Sequence, residues 1–224
     1  MTAAPAPPER KRIAIVISGR GSNMRALIQA SRAADSNFDV TLVLSDKADA
    51  AGLQIARKLG VEACAVPAAG IRDRDAYDRQ LQQALSAHDP MLVVLAGFMR
   101  ILSVDFVRAF EGRLLNIHPS LLPKYIGLHT HRRALTAADA EHGATVHYVT
   151  EELDGGPRIL QARVPILPGD DESALSARVQ QVEHKIYPQV VHWHCAGRLT
   201  YRDANAWFDG KRLDAPLQWG DTVP

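Results

Sequence analysis

Apolar residues along the chain switch repeatedly between continuous short runs and helical spacing. Residues 13–17 form a β-branched apolar run, and Ser18-Gly19-Arg20-Gly21-Ser22-Asn23 follows at once. Met24, Leu27, Ile28 and Ala30 then recur at helical intervals, which predicts a strand, a tight loop and a helix. Residues 38–44 predict a second strand, and 50–59 a short helix ended by Gly60. A weaker third strand spans 61–66 and stops at Pro67. Helical spacing returns over 73–87, at Tyr77, Leu81, Ala84 and Leu85. Residues 91–96 are continuously apolar, as a strand buried on both faces requires. Ser103 is placed to cap a helix running through Phe110, and 113–117 predict the next strand.

The second half is less regular. Residues 118–129 carry two prolines and a glycine and read as a long loop. A helix is expected over 130–138. Strands are expected over 145–149 and 158–164, flanking the turn Asp154-Gly155-Gly156-Pro157 and antiparallel to one another. Residues 172–191 predict a long amphipathic helix with Leu175, Val179, Val182, Ile186 and Val190 on one stripe. His192 and His194 would then follow it at the surface. A small hairpin over 198–201 and 206–208 closes the pattern. The alternation predicts an α/β fold, a doubly wound and mostly parallel sheet with helices on both faces and antiparallel additions in the C-terminal half.

The 224 residues fit one large domain, with a loose Pro/Ala-rich tail over 1–11, a domain over 12–213 and a second tail over 214–224. Within the domain, 12–112 form a phosphate-binding half and 113–213 a catalytic half. Lys and Arg number 26 against 25 Asp and Glu, so the balance argues against a nucleic-acid groove or a membrane surface. Cys64 and Cys195 form no CxxC pair, which makes a disulfide framework or cysteine-rich zinc site unexpected. There is no apolar run of membrane-spanning length and no secretory leader pattern, so a cytoplasmic location is expected.

Three stretches carry candidate chemistry. The Gly19–Asn23 loop after a strand lets backbone approach a ligand, and the helix that follows offers free N–H groups to a phosphate. It matches neither GxGxxG nor a Walker A loop, and an ordinary turn capped by Ser22 is the plainer alternative. Asn116 and His118 stand two apart at the carboxyl end of a strand, so they share a face at the edge where open α/β sheets bind ligands. Both could instead be structural. Asp154 lies beside glycines in what could be an everyday Asp-Gly turn; folded against His118 it would orient the imidazole. His129, His131, His118, His142 and His147 are scattered, and no metal is expected.

Four ordered segments carry a family resemblance: 18–23, Leu95-Ala96-Gly97-Phe98-Met99-Arg100-Ile101-Leu102, Asn116-Ile117-His118-Pro119-Ser120-Leu121-Leu122-Pro123, and Glu152-Leu153-Asp154-Gly155-Gly156. From about residue 12 to 213 the chain resembles the phosphoribosylglycinamide formyltransferases. The resemblance implies transfer of a formyl group from 10-formyltetrahydrofolate to the amine of glycinamide ribonucleotide, without metal, by a monomer or homodimer. It implies Asn116, a protonated His118 and Asp154 as catalytic groups. Gly21, Ser22, Asn23 and Glu183 would bind the ribotide, though Glu183 could be a solvated helix residue. Met99, Arg100, Ile101 and Leu102 would line the pterin pocket together with Asn116 and Asp154. Arg74 would reach the folate, its glutamate tail or the phosphate region. Arg20 and Ile126 depart from the usual residues, commonly Asn and Pro. Formyltetrahydrofolate deformylase is the alternative within the same chemistry, and a non-catalytic nucleotide-phosphate binding protein the alternative outside it.

Overall fold

The computed structural model describes residues 10–221. Most of the expected N-terminal tail (1–9) and the last three residues of the expected C-terminal tail lie outside the described residues. An eight-stranded sheet has the order β11-β7-β6-β5-β4-β1-β2-β3. β1 (Lys11–Ile17), β2 (Phe38–Ser45), β3 (Glu62–Ala65), β4 (Leu92–Leu95) and β5 (Leu114–His118) run parallel. β6 (Glu141–Tyr148) and β7 (Arg158–Pro165) are added antiparallel.

β1 shows why the pattern gives this architecture. Ile13, Ile15 and Ile17 pack with α1 (Ser22–Ser31), α2 (Ala51–Lys58) and α6 (Glu172–Cys195), whereas Ala14 and Val16 pack with α3 (Arg74–Ser86) and α4 (Val104–Ala109). Successive side chains of a strand point to opposite faces, so a continuous apolar run has helices on both. Ser103 caps α4 by accepting from Phe106 N, as its position predicts. The chain leaves β1 toward β2 and β3, then returns to β4 on the other side. That reversal opens a crevice at the carboxyl ends of β1 and β4, where ligands of such sheets bind.

Several boundaries differ from expectation. β6 begins at Glu141, ahead of the expected 145, because Gly143 lets the strand lie against Ala162; a Cβ there would stand 2.0 Å from the Ala162 carbonyl oxygen. α6 continues to Cys195, so His192 and His194 lie within the helix rather than after it at the surface. His194 packs inward and bonds the Tyr148 hydroxyl at 3.0 Å, and burial lowers its pKa to about 4. β11 (Leu217–Gln218) pairs with β7, so part of the expected C-terminal tail joins the sheet. β8 (Leu199–Arg202) and β9 (Asn205–Phe208) form the expected hairpin, extended by β10 (Lys211–Arg212). No helix among the described residues is long and apolar enough to cross a membrane.

Candidate active site

The glycine-rich loop leaves β1 and is held on three sides. Ser18 N donates to Gly97 O, and Ser18 Oγ accepts from Met99 N at 2.9 Å. Gly52 N donates to Gly19 O at 3.0 Å. Gly21 has φ 74° and precedes α1 without a side-chain cap, so Ser22 is the first residue of the helix rather than its cap. The first N–H groups of α1 lack intrahelical partners, the arrangement in which a helix start receives an anion. Ser22 Oγ accepts from Gln180 Nε2, and Asn23 Nδ2 donates to Glu183 Oε2, both at 2.9 Å. Asn23 Oδ1 is buried with no hydrogen-bond partner among the described residues. Glu183 is therefore a buried carboxylate aimed at the glycine-rich loop, and burial raises its pKa while the Asn23 bond opposes the rise. Gln180 escaped the sequence reading, since only the docking of α6 on α1 brings it to Ser22.

Across the crevice, residues 97–103 leave β4. Asp78 accepts from Ser103 N and Arg100 lies over the Tyr77 ring, its guanidinium carbon 4.5 Å from the centroid. Phe98 and Leu102 turn toward the core, while Met99 and Ile101 stand exposed. A cleft of about 450 Å³ runs from Met99, Arg100 and Ile101 past Asn116 and His118 to Asp154. A smaller recess of about 100 Å³ continues behind Arg100, Ile101 and Leu102, and its far wall is Thr150 to Asp154. Glu152 and Leu153 belong to the segment that carries the resemblance, whereas the lining role of Val149 and Thr150 has no signal in the sequence. Arg74 opens α3 and is exposed; no contact draws it to the other site residues.

The antiparallel β5–β6 pair assembles the centre of the cleft. Asn116 lies opposite His147, and His118 opposite Thr145. The chain then returns through the loop carrying Asp154, whose φ is 51°. Gly156 lets that loop close, since a Cβ there would sit 1.9 Å from the Tyr148 carbonyl oxygen. Asp154 Oδ2 accepts from Gly127 N at 2.9 Å and lies 3.4 Å from His118 Nδ1, with both side chains nearly buried. His118 Nε2 is 2.9 Å from the Tyr125 carbonyl oxygen. A carbonyl only accepts, so Nε2 carries a hydrogen and proton exchange with Asp154 runs through Nδ1. Thr145 Oγ1 donates to Ser120 O and accepts from Leu122 N and Gln161 Nε2, pinning the loop that supplies Tyr125 and Gly127. Beside it, the His131 and His142 rings meet at 3.1 Å, and burial lowers the pKa of His142 to about 4.

The sequence-predicted residues, Arg74 apart, thus fall into two neighbouring clusters. Met99 to Ile101, Asn116, His118 and Asp154 line one cleft, with Leu102 in the adjoining recess, and Gly21, Ser22, Asn23 and Glu183 form a second cluster whose loop is joined to the cleft where Ser18 bonds Met99. A buried imidazole and carboxylate beside an amide donor, in a cleft with exposed apolar walls, suit acid–base chemistry on a carbonyl group.

The formyl transferase family matches residues 11–191, and the chain belongs to that family. Within it, the chain is similar to the phosphoribosylglycinamide formyltransferases. The protein of that name from Escherichia coli (strain K12) is 54% identical over 201 residues, covering 90% of this chain and 95% of the relative. The solved phosphoribosylglycinamide formyltransferase of Coxiella burnetii superposes with a TM-score of 0.88 at 44% identity, covering 93% of this chain and 100% of that one. A formyltetrahydrofolate deformylase from Pseudomonas putida KT2440 superposes with a TM-score of 0.81, but at 25% identity and covering 71% of that chain. The identities set this chain with the transferases rather than with the deformylase.

Proposed function

We propose that this enzyme transfers the formyl group of 10-formyltetrahydrofolate to the amine of glycinamide ribonucleotide, in the cytoplasm and in purine biosynthesis. The observation that carries the reading is the cleft that holds Asn116, His118 and Asp154 beside Met99 to Ile101, with the glycine-rich loop joined to it at Met99. An anion-binding loop with a buried carboxylate beside it suits a phosphorylated ribose. An apolar-walled recess suits a pterin. The Asn116–His118–Asp154 cluster stands where the two substrates would meet.

In this mechanism the amine attacks the formyl carbon directly. A carbon–nitrogen bond forms and the formyl oxygen becomes an oxyanion. Asn116 donates to that oxygen, a donor fixed in advance. The attacking nitrogen gives up a proton, and the folate nitrogen takes one as its bond to the formyl carbon breaks. His118 and Asp154 move that proton, with the carboxylate orienting the ring. Holding both substrates in one crevice supplies the proximity term. Gly21 to Asn23 bind the phosphate, and Glu183 accepts from ribose hydroxyls or the glycinamide portion. Met99 to Leu102 hold the folate, and Arg74 reaches toward its tail or the phosphate.

The deciding experiment supplies purified enzyme with both substrates and follows formylated ribotide and free formate separately. Formylated ribotide formed in step with tetrahydrofolate is the expected result. Formate release that ignores the ribotide would replace the transferase reading with hydrolysis.

A further inference from the structure

The mechanism above gives no role to His147, although it is a buried imidazole at the centre of the cleft. Its Nδ1 lies 2.8 Å from the carbonyl oxygen of Tyr148. That oxygen can only accept, so Nδ1 carries the hydrogen. Burial opposes a second proton and holds the imidazole pKa well below its ordinary range. Nε2 therefore presents a bare lone pair. Asn116 Nδ2 stands 3.2 Å from it, and Asp154 Oδ1 stands 3.9 Å away. An ionised carboxylate has no hydrogen to give, and 3.9 Å is beyond hydrogen-bond reach. The amide donates.

We propose that His147 is a positioning residue for formyl transfer. As the neutral Nδ1–H tautomer it accepts one N–H of Asn116 and thereby fixes which edge of that amide meets the reacting oxygen. An amide without this acceptor can turn over about its terminal torsion, which has two broad wells. The turned amide would present its own oxygen to the oxyanion, and repulsion would replace a hydrogen bond. The cross-strand register places the two residues opposite one another, so the acceptor sits on the same rigid sheet as the donor it orients.

This inference rests on the formyl-transfer reading, and its test separates the two. Nitrogen-15 NMR of the ligand-free enzyme, labelled at histidine, reads the tautomer without any turnover. The expected spectrum at neutral pH has a His147 ring protonated at Nδ1 only, assigned by its absence from His147→Phe. In the same variant kcat should fall about 10- to 100-fold, less than or equal to the loss of an entire oxyanion donor. Both KM values should stay within about threefold, as for an interaction made in the transition state. His147→Gln, which restores an acceptor, should recover most of kcat. In an Asn116→Ala background His147→Phe should have little further effect, because the group it orients is gone. A ring protonated at Nε2, or an equal kcat loss in both backgrounds, overturns the proposal. Failure of the unmodified enzyme to formylate the ribotide would overturn the functional reading instead, with the tautomer still standing as measured.

Discussion

Asn116 retains an amide hydrogen beyond the one given to His147, whereas both ring nitrogens of His118 are engaged, at Tyr125 and at Asp154. The two residues should therefore fail differently. Asn116→Ala removes the proposed oxyanion donor, and we expect kcat to fall about 10²- to 10³-fold with little change in either KM. Asp154→Asn keeps the shape, removes the charge and should be similarly severe in a folded protein. The double variant His118→Ala/Asp154→Asn should lose little more than the worse single variant, because both groups serve one proton transfer. Steady-state kinetics of the four proteins decides this: near-normal kcat in Asp154→Asn removes Asp154 from the chemistry, and additive losses separate it from His118. Asn116, His118 and Asp154 were legible because polar residues ending an apolar strand and an acid flanked by glycines stand out in one dimension. His147 and Gln180 were not. Each gains its role from a partner that the β5–β6 register or the docking of α6 brings to it.

At the level of elements, the parallel half followed from apolar periodicity almost residue by residue, since each strand there is a run bounded by glycine, proline or a polar turn. Elements whose limits depend on tertiary neighbours were harder. α6 passes through Pro188 and ends beyond the polar His192, because Trp193 and Cys195 extend its buried face. α2 has a role that sequence does not announce: it supports the glycine-rich loop. A Cβ on Gly52 would lie 2.3 Å from Ile17 Cδ1 and 2.9 Å from Gly19 O. Gly52→Ala should therefore push that loop outward. Overpacking of this kind costs about 1–3 kcal/mol of stability. Displacing a binding loop by about 1 Å can cost on the order of 10² in kcat/KM. Denaturant titration and the two KM values check this, with the ribotide KM rising more than the folate KM. An unchanged ribotide KM would show that α2 does not support the loop.

The whole molecule should be sensitive to acid. Burial lowers the pKa values of His142 and His194 to about 4, and those of His131 and His147 are lowered as well. In the unfolded chain these rings titrate near 6.5. Between about pH 6.5 and 4 the unfolded state thus binds more protons, so stability is complete above that window and is lost as pH falls through it. Glu183 acts in the opposite sense, because its raised pKa makes the folded state the stronger proton binder there. Several imidazoles against one carboxylate give a net loss. Urea midpoints should be lower at about pH 5 than at about pH 7.5, and equal midpoints would refute the argument.

The bond from Asn23 to Glu183 spans 160 positions of sequence. A ribosome makes the glycine-rich loop before α6, so a nascent chain carries that loop 160 residues ahead of the carboxylate that bonds it. The ribotide recognition proposed above would therefore wait for α6, and fragments released before α6 emerges would lack the Glu183 and Gln180 contacts to the loop.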